Sequence, residues 1–433
     1  PGTVAGLHQA WREHGTVRWS TLLKPAIRLA ADGFTVTHGL GASLASALPR
    51  FAPYPATMAQ FSDDGEPLQA GTKLRQPDLA RTLRRIAARG PDGFYRGVTA
   101  ELIVAEMRRG GGLITLDDLA GYRPVKRVPI RGDYRGVGVI SMPPPSSGGV
   151  ALVQMLNILE GYEMSAHGFG SAAAMHVSIE AMRRAYEDRA RHLGDSDFNP
   201  DIPLARLTGK PYAEKLRDQI ALDAASTSAT EGFTWPLESE ETTHLSVVDK
   251  DRNAVSLTYT LEWGYGSGIV VPGGGFLLNN EMGDFNAAPG LTSRRGLIGT
   301  EPNLAQPGKR MLSSMSPTIV ERDGELLMVT GSPGGRTIIN TVLQTIVNVV
   351  DFGLNAQAAV DAGRYHHQWM PDQVYVERNG FSPDTLELLR ARGHVVAERT
   401  AQGRAYVIVV NEEGVLEGGV DRRRPDAGAA VHD

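Results

Sequence analysis

The sequence predicts a layered α/β protein in which antiparallel sheet is covered by helices. Three observations predict it. Helical periodicity dominates the first half of the chain. A polar stretch with no clear period follows at Ala221–Glu241. The pattern then changes at once to strand alternation, at Thr243–Asp249 and Ala254–Leu261, before helices and short strands close the chain.

The elements follow in order. Pro77–Arg89 carries Leu79, Leu83 and Ile86 at helical spacing, with Gly90 past its end. Thr115-Leu-Asp-Asp118 is a capping-box variant with Asp in the usual Glu or Gln position. Pro129–Met142 reads as extended chain with a turn at Gly132-Asp133. Pro143-Pro-Pro-Ser-Ser-Gly-Gly149 breaks it, and Ser146 and Ser147 read as a turn leading into a helix at Val150–Leu159. They lack the elbow motif of a serine nucleophile. Ser171–Leu193 is a long helix with its charges in the C-terminal half. Ala221–Glu241, rich in Ala, Ser, Thr and Glu, reads as a flexible linker. Asp251-Arg-Asn253 is a turn between two strands. Phe276–Asn279, Ser316–Glu321 and Glu325–Thr330 are further strand candidates. Helices follow at Thr337–Phe352, Ala356–Ala362 and Pro383–Arg392, and strands at Val374–Glu377 and Tyr406–Val410.

Composition narrows the function. The chain has 433 residues, 41% of them hydrophobic, a net charge of −5 and no cysteine. Disulfides, thiolate metal sites, iron–sulfur clusters and a cysteine nucleophile are excluded. The mild negative charge, without a basic tract, argues against nucleic acid as a partner. No apolar run reaches the roughly 18 residues of a membrane span. The chain opens Pro1-Gly2-Thr3-Val4-Ala5-Gly6. Residue 1 therefore reads as lying downstream of the translation start, with any targeting segment outside this sequence.

A nucleophile must then come from Ser, Thr, Lys, Asp or Glu. Thr242, in Glu241-Thr-Thr-His-Leu-Ser246, is the favoured candidate. A threonine at a strand start is ordinarily structural. Here a cleavable stretch precedes it, and a threonine exposed as a new N-terminus carries its own base. That α-amine has a reference pKa of about 7.7–8.0, so it is partly neutral near pH 7. Gly331-Ser-Pro-Gly-Gly335 reads as a glycine turn between strand and helix, or as a source of backbone N–H groups for an oxyanion. It does not fit a phosphate loop. Thr260 lies on the second strand, where a hairpin returns it beside Thr242. His244 reads as a packed strand histidine. His366 and His367 point to opposite faces of a strand and read as structural, with no metal constellation.

Together Thr242-Thr-His-Leu-Ser-Val-Val-Asp249, Thr258-Tyr-Thr-Leu261, Leu278-Asn-Asn-Glu-Met-Gly-Asp-Phe285, Met311-Leu-Ser-Ser-Met-Ser-Pro-Thr318 and Gly331-Ser-Pro-Gly-Gly335 resemble a γ-glutamyltranspeptidase (glutathione hydrolase). Ser141–Gly149 and His366-His-Gln-Trp369 extend the match over essentially the whole chain.

The resemblance implies the N-terminal nucleophile hydrolase fold, a four-layer αββα sandwich. It implies self-cleavage between Glu241 and Thr242, into a large subunit of residues 1–241 and a small subunit of residues 242–433 that stay associated as one intertwined fold. No cofactor and no metal are implied. Thr242 then attacks a γ-glutamyl amide, and water or an acceptor amine resolves the γ-glutamyl ester. Thr260 supports the nucleophile, and Gly334 and Gly335 hold the oxyanion. Glu281 and Asp284 hold the substrate ammonium, Ser313 and Ser314 its carboxylate, and Ala287–Gly299 is the lid. Relatives of this kind are usually exported, which implies a periplasmic or extracellular location.

Three departures stand out. Glu262 occupies a position that is typically Asn and contacts the substrate amine. Gly283 stands where Asp is usual. The resemblance places the carboxylate-binding Arg, together with a strand of the central sheet, upstream of the Pro-Gly-Thr-Val-Ala-Gly segment, here residues 1–6, and so outside this sequence. Two other functions are carried alongside: an acylase of glutaryl-cephalosporin or poly-γ-glutamate, which Glu262 motivates, and a processing-dead binding protein.

Overall fold

The computed structural model describes residues 1–228, 242–286, 301–424 and 426–431. Glu241 and the Ala287–Gly299 lid segment lie outside them. The chain forms two compact units. One comprises Pro1–Arg127 and Tyr265–Asn280, the other Val128–Gly264 and Glu281–Asp433.

The first unit is mainly helical. Pro77–Arg89 is a helix as the spacing predicts, with Pro at its first turn and Gly90 ending it at φ 58°. The capping box forms: Thr115 accepts from the Asp118 N–H while the Asp118 carboxylate accepts from that of Thr115. Phe276–Asn279 is not a strand. It belongs to an irregular hairpin in which Val271 N–H bonds the Phe276 carbonyl and Leu278 N–H that of Ile269. Three consecutive glycines, Gly273–Gly275, bend the backbone there, and the 275 site leaves no room for a Cβ beside the Leu79 N–H. Buried Thr57 pins this hairpin, donating to the Gly268 carbonyl and accepting from the Val270 N–H, both at 2.9 Å.

The second unit is built on one antiparallel sheet. Its six strands run, in spatial order, Leu416–Val420, Tyr406–Val410, Glu325–Gly331, Thr318–Arg322, Val137–Ser141 and Ile130–Tyr134. The turn at its far edge falls at Arg135-Gly136, not at Gly132-Asp133. Arg135 and Gly136 both have positive φ, 49° and 78°, as a tight two-residue hairpin requires. Gly132 stays within its strand because a Cβ there would meet Val153 Cγ1 at 2.6 Å. It is a packing glycine.

Pleat alternation sends Val139, Val320, Met328, Val407 and Val409 to one face. There they pack on helices Gly148–Leu159 and Thr337–Val350 in the main core. Helix Ala172–His192, capped by Ser171, packs against the first of these. Gly331 and Tyr406 face the other way, where the hairpin Thr243–Val248/Ala254–Tyr259 lies on the sheet. Ser256 Oγ donates to the Thr330 carbonyl at 2.9 Å and accepts from the Thr318 N–H at 3.0 Å. Helices, sheet and hairpin thus form three successive layers of a mixed α/β fold.

The stretch read as a linker begins in an ordered state. Over residues 221–228 the chain is tied along helix Ala172–His192. His176 bonds the Ala221 carbonyl at 2.7 Å, Glu180 accepts the Ser226 N–H at 3.1 Å, and Asp372 accepts the Ser228 N–H at 2.7 Å. Low apolar content made it read as flexible. Buried charged groups on neighbouring elements hold it instead. Among the described residues no helix is long and apolar enough to cross a membrane.

Candidate active site

Thr242 heads the inner hairpin. Its hydroxyl donates to Thr260 Oγ1 across the two strands at 3.4 Å, and Thr260 Oγ1 also accepts the Glu262 N–H at 2.8 Å. The ladder sets this meeting, because Thr243 pairs with Tyr259 in register. Glu262 sits at φ 74°, so the chain turns sharply after Thr260.

Two residues beyond Thr242, His244 fixes the hairpin to the sheet. A Cβ at Gly331 would fall 2.1 Å from its ring, so only glycine lets this strand end approach. The ring bonds Thr258 Oγ1 at 2.9 Å and Ser246 Oγ at 3.1 Å. Burial drives its pKa down to about 4, so it is neutral at physiological pH. It reads as a packed histidine here too.

From Gly331 the chain enters the glycine loop. Gly334 has φ 134° and Gly335 φ 54°. A Cβ at 334 would lie 2.5 Å from Thr337 Oγ1 and 2.9 Å from Gly403 Cα. The Thr337 hydroxyl and N–H both bond the Gly334 carbonyl, at 2.7 and 3.0 Å. That carbonyl is drawn into the start of helix Thr337–Val350. In a trans peptide the Gly335 N–H therefore points the other way. Among the described residues the N–H groups of Gly334 and Gly335 meet no acceptor. Two free backbone donors on one glycine loop suit an oxyanion.

The remaining predicted residues sit on two loops. Glu281 and Asp284 bound a single 3₁₀ turn, Glu281–Asp284. Burial raises the Glu281 carboxyl to about 7. Gly283 lies between them, and a Cβ there would stand 3.6–3.8 Å from the Glu262 carboxylate. Positions 262 and 283, the two departures noted within the later part of the sequence, are thus spatial neighbours. Ser313 and Ser314 lie on the loop before strand Thr318–Arg322. The Ser313 N–H bonds the Pro145 carbonyl at 2.9 Å, and its carbonyl accepts from the N–H and hydroxyl of Ser147, both at 2.8 Å.

Several supporting residues escaped the sequence reading. Asn303 joins the two loops, donating to the Asp284 carbonyl at 2.7 Å and accepting the Leu312 N–H at 2.9 Å. Gly148 lets the Pro-rich turn close on the serine loop, since a Cβ would fall 2.4 Å from the Met315 carbonyl. Arg189 bonds Ser314, and Tyr186, one turn earlier, donates to the Arg336 carbonyl next to the glycine loop. Contacts therefore run from Thr242 through Thr260 to Glu262, which neighbours the 3₁₀ turn, and from that turn through Asn303, the serine loop and helix Ala172–His192 to the glycine loop. The Pro143–Gly149 motif was the one signal for part of it.

His366 and His367 sit behind this circuit, His366 packing edge-on against the Tyr186 ring with centroids 5.7 Å apart. His366 bonds Asn340 and Gln368, and His367 bonds Asp372 and the Trp369 N–H. The structure also gathers His176, Glu180 and His394 within reach of one another. The facing atoms are committed: His176 Nδ1 and His394 Nε2 bond each other at 2.8 Å, His176 Nε2 bonds the Ala221 carbonyl, and Glu180 pairs with Arg183 and Arg184, which leaves only His394 Nδ1 of the ring nitrogens. Burial opposes the Glu180 charge, but the two guanidiniums and the Ser226 N–H hold its pKa down to about 2. Two fixed cations make this a poor metal site.

The sequence matches the family described as Gamma-glutamyltranspeptidase over residues 1–431. It is 50% identical over 429 residues to the glutathione hydrolase proenzyme of Escherichia coli (strain K12), covering 98% of this chain and 74% of that protein. It is 39% identical to the acylase ACY 1 proenzyme of Pseudomonas sp. (strain V22), over 96% of this chain and 72% of that protein. Among solved structures, cephalosporin acylase from Bacillus halodurans superposes with a TM-score of 0.87 at 30% identity, covering 100% of this chain and 78% of that one. On the match of motif, fold and sequence, the chain belongs to the gamma-glutamyltranspeptidase family.

Proposed function

We propose that this chain is a self-processing γ-glutamyl transferase and hydrolase that acts on γ-glutamyl amides such as glutathione. The observation that carries the reading is the Thr242 hydroxyl donating to Thr260 at the head of the inner hairpin.

The chemistry follows from the groups present. Thr242 Oγ1 attacks the carbonyl of Glu241 and the Glu241–Thr242 C–N bond breaks, which frees the Thr242 α-amine and leaves an ester; water then hydrolyses that ester, releasing Oγ1 and the Glu241 carboxylate. That amine, in its neutral form, takes the hydroxyl proton as Oγ1 adds to the γ-glutamyl carbonyl. The N–H groups of Gly334 and Gly335 stabilise the oxyanion. Collapse expels the amine leaving group, which takes the proton back. Water or an acceptor amine then cleaves the γ-glutamyl ester. Glu262, Glu281 and Asp284 receive the donor ammonium, and Ser313 and Ser314 its carboxylate. Subunits 1–241 and 242–433 remain paired as a heterodimer. No cofactor enters this scheme. A periplasmic or extracellular site of action fits the exported character of such enzymes.

The finer fold is the αββα sandwich, with the inner hairpin belonging to its second sheet. The hairpin's outward side chains Leu245, Val247, Val255, Leu257 and Tyr259 support this, since they form an exposed apolar face suited to another layer.

The acylase reading stays second. The Bacillus halodurans acylase likeness favours it, but a glutaryl group lacks the α-amine that three acidic residues would hold. Intact mass should show two pieces that part before Thr242, and a γ-glutamyl electrophile should add to the Thr242 fragment. A chain that stays whole, with Thr242→Ala indistinguishable from wild type, would sink the proposal. Faster turnover of glutaryl than γ-glutamyl anilide would move it to the acylase.

A further inference from the structure

We infer that Arg189 is a positioning residue for the α-carboxylate of the donor, acting through Ser314; this rests on the reading of Ser313 and Ser314 as carboxylate ligands. Arg189 lies in the last turn of helix Ala172–His192. Its guanidinium forks. Nε donates to Ser147 Oγ at 2.9 Å and Nη2 to Ser314 Oγ at 3.0 Å. Ser147 passes its own proton to the Ser313 carbonyl at 2.8 Å. One side chain thus holds both serines of the loop, one directly and one through a relay.

The consequence for Ser314 follows from hydroxyl chemistry. A serine oxygen has one proton to give and two lone pairs. When a guanidinium N–H takes a lone pair, the proton is left to donate elsewhere, and the adjacent cation makes the hydroxyl a better donor. A carboxylate meeting Ser314 would find the O–H turned toward it and a positive charge behind it. Lysine could not reproduce this, because a single ammonium lacks the planar fork that spans two hydroxyls.

The same helix carries Tyr186, whose hydroxyl bonds the Arg336 carbonyl. Arg189 and Tyr186 therefore tie the carboxylate loop and the glycine loop to one rigid element. A purely structural tie would affect all donors alike. A positioning role affects only donors that bear the carboxylate.

The test compares γ-glutamyl-p-nitroanilide with the same donor carrying an α-carboxamide. Each is assayed on wild type, Arg189→Gln, Arg189→Lys, Ser314→Ala and the Arg189→Gln/Ser314→Ala double variant, all first shown by intact mass to split before Thr242. Arg189→Gln should raise KM for the carboxylate donor about tenfold, with kcat within about twofold. KM for the carboxamide donor should not move. The double variant should be no worse than Ser314→Ala alone. If Arg189→Gln fails to split, Arg189→Lys carries the test, with a selective KM rise of about threefold. Equal KM changes on both donors, or none, beside a carboxylate-selective Ser314→Ala, would overturn the inference. An unselective Ser314→Ala would instead overturn the reading of Ser314, and the inference would fall with it.

Discussion

The nucleophile side of the site and its recognition rim are built by different means. Thr242 and Thr260 sit at the end of a regular ladder whose inner face packs on the six-stranded sheet. Gly334 and Gly335 lie between a sheet strand and a helix start. The rim residues Glu281, Asp284, Ser313 and Ser314 have no such ladder. Side chains from far along the sequence hold them: Asn303, Ser147 and Arg189. Under the proposed function, backbone geometry sets the groups that do the chemistry, and side-chain bonds set those that choose the substrate. The departures at 262 and 283 both fall on the rim, where single substitutions can retune binding without touching the nucleophile.

The largest expected effect breaks the rigid side. Gly334→Ala forces a Cβ into Thr337 Oγ1 and Gly403 at a φ of 134° that alanine rarely adopts. It should lower kcat by about 10² to 10³, the loss expected for a misplaced oxyanion donor, with little change in KM. Steady-state release of p-nitroaniline measures this, and an unchanged kcat would remove the glycine loop from the reaction.

On the rim the same readout should respond in KM. Asn303→Ala deletes the bond to the Asp284 carbonyl and leaves the Leu312 N–H without its acceptor. Two lost bonds of about 1 kcal/mol each predict a KM rise of about 30-fold, with kcat nearly kept. A matching fall in kcat would mean that rim and nucleophile are one rigid body.

Acidity sharpens the contrast further. Burial raises the Glu281 carboxyl to about 7 in the folded protein, above its ordinary value of about 4.5. The group is therefore neutral below about pH 7 and can pair with an ammonium only above it. Donor KM should rise as pH falls through 7, by up to about tenfold per unit, and Glu281→Gln should flatten the profile. For stability the sign is opposite: the folded state holds a proton that the unfolded chain has lost between about pH 4.5 and 7, so rising pH weakens the fold across that window. Thermal melts of wild type and Glu281→Gln across it should diverge accordingly.

The smallest effect tests the paired departures. Gly283→Asp places a second carboxylate beside that of Glu262, at a position where a Cβ makes only ordinary contact with the Glu262 side chain. Like-charge crowding should shift KM by about threefold, and adding Glu262→Asn should restore it. Failure of the second substitution to compensate would separate the two positions.

Much of this was legible in the sequence. Leu79, Leu83 and Ile86 announced their helix, and the strand pair around Asp251–Asn253 showed by alternation alone. Thr242, Thr260 and the glycine loop stood out because nucleophile and oxyanion chemistry restrict residue type. Gly132 and Gly136 look alike in sequence, yet one serves packing and the other a turn. Arg189 was hidden for a different reason. A charged residue late in an amphipathic helix reads as a solvated one, and its partners Ser147 and Ser314 lie 42 and 125 residues away. Asn303 gave no signal either, since a lone loop asparagine has no pattern.

The clamp on residues 221–228 has one last consequence. With Ser228 held by Asp372 and Arg183, the carboxy terminus that a cut before Thr242 creates is on a leash. Residues 229–241, whatever path they take, reach no farther than about 45 Å from Ser228. A cut before Thr242 would leave Asp372, on the later piece, bonded to Arg183 and Ser228 on the earlier one, so the two pieces stay joined at this clamp.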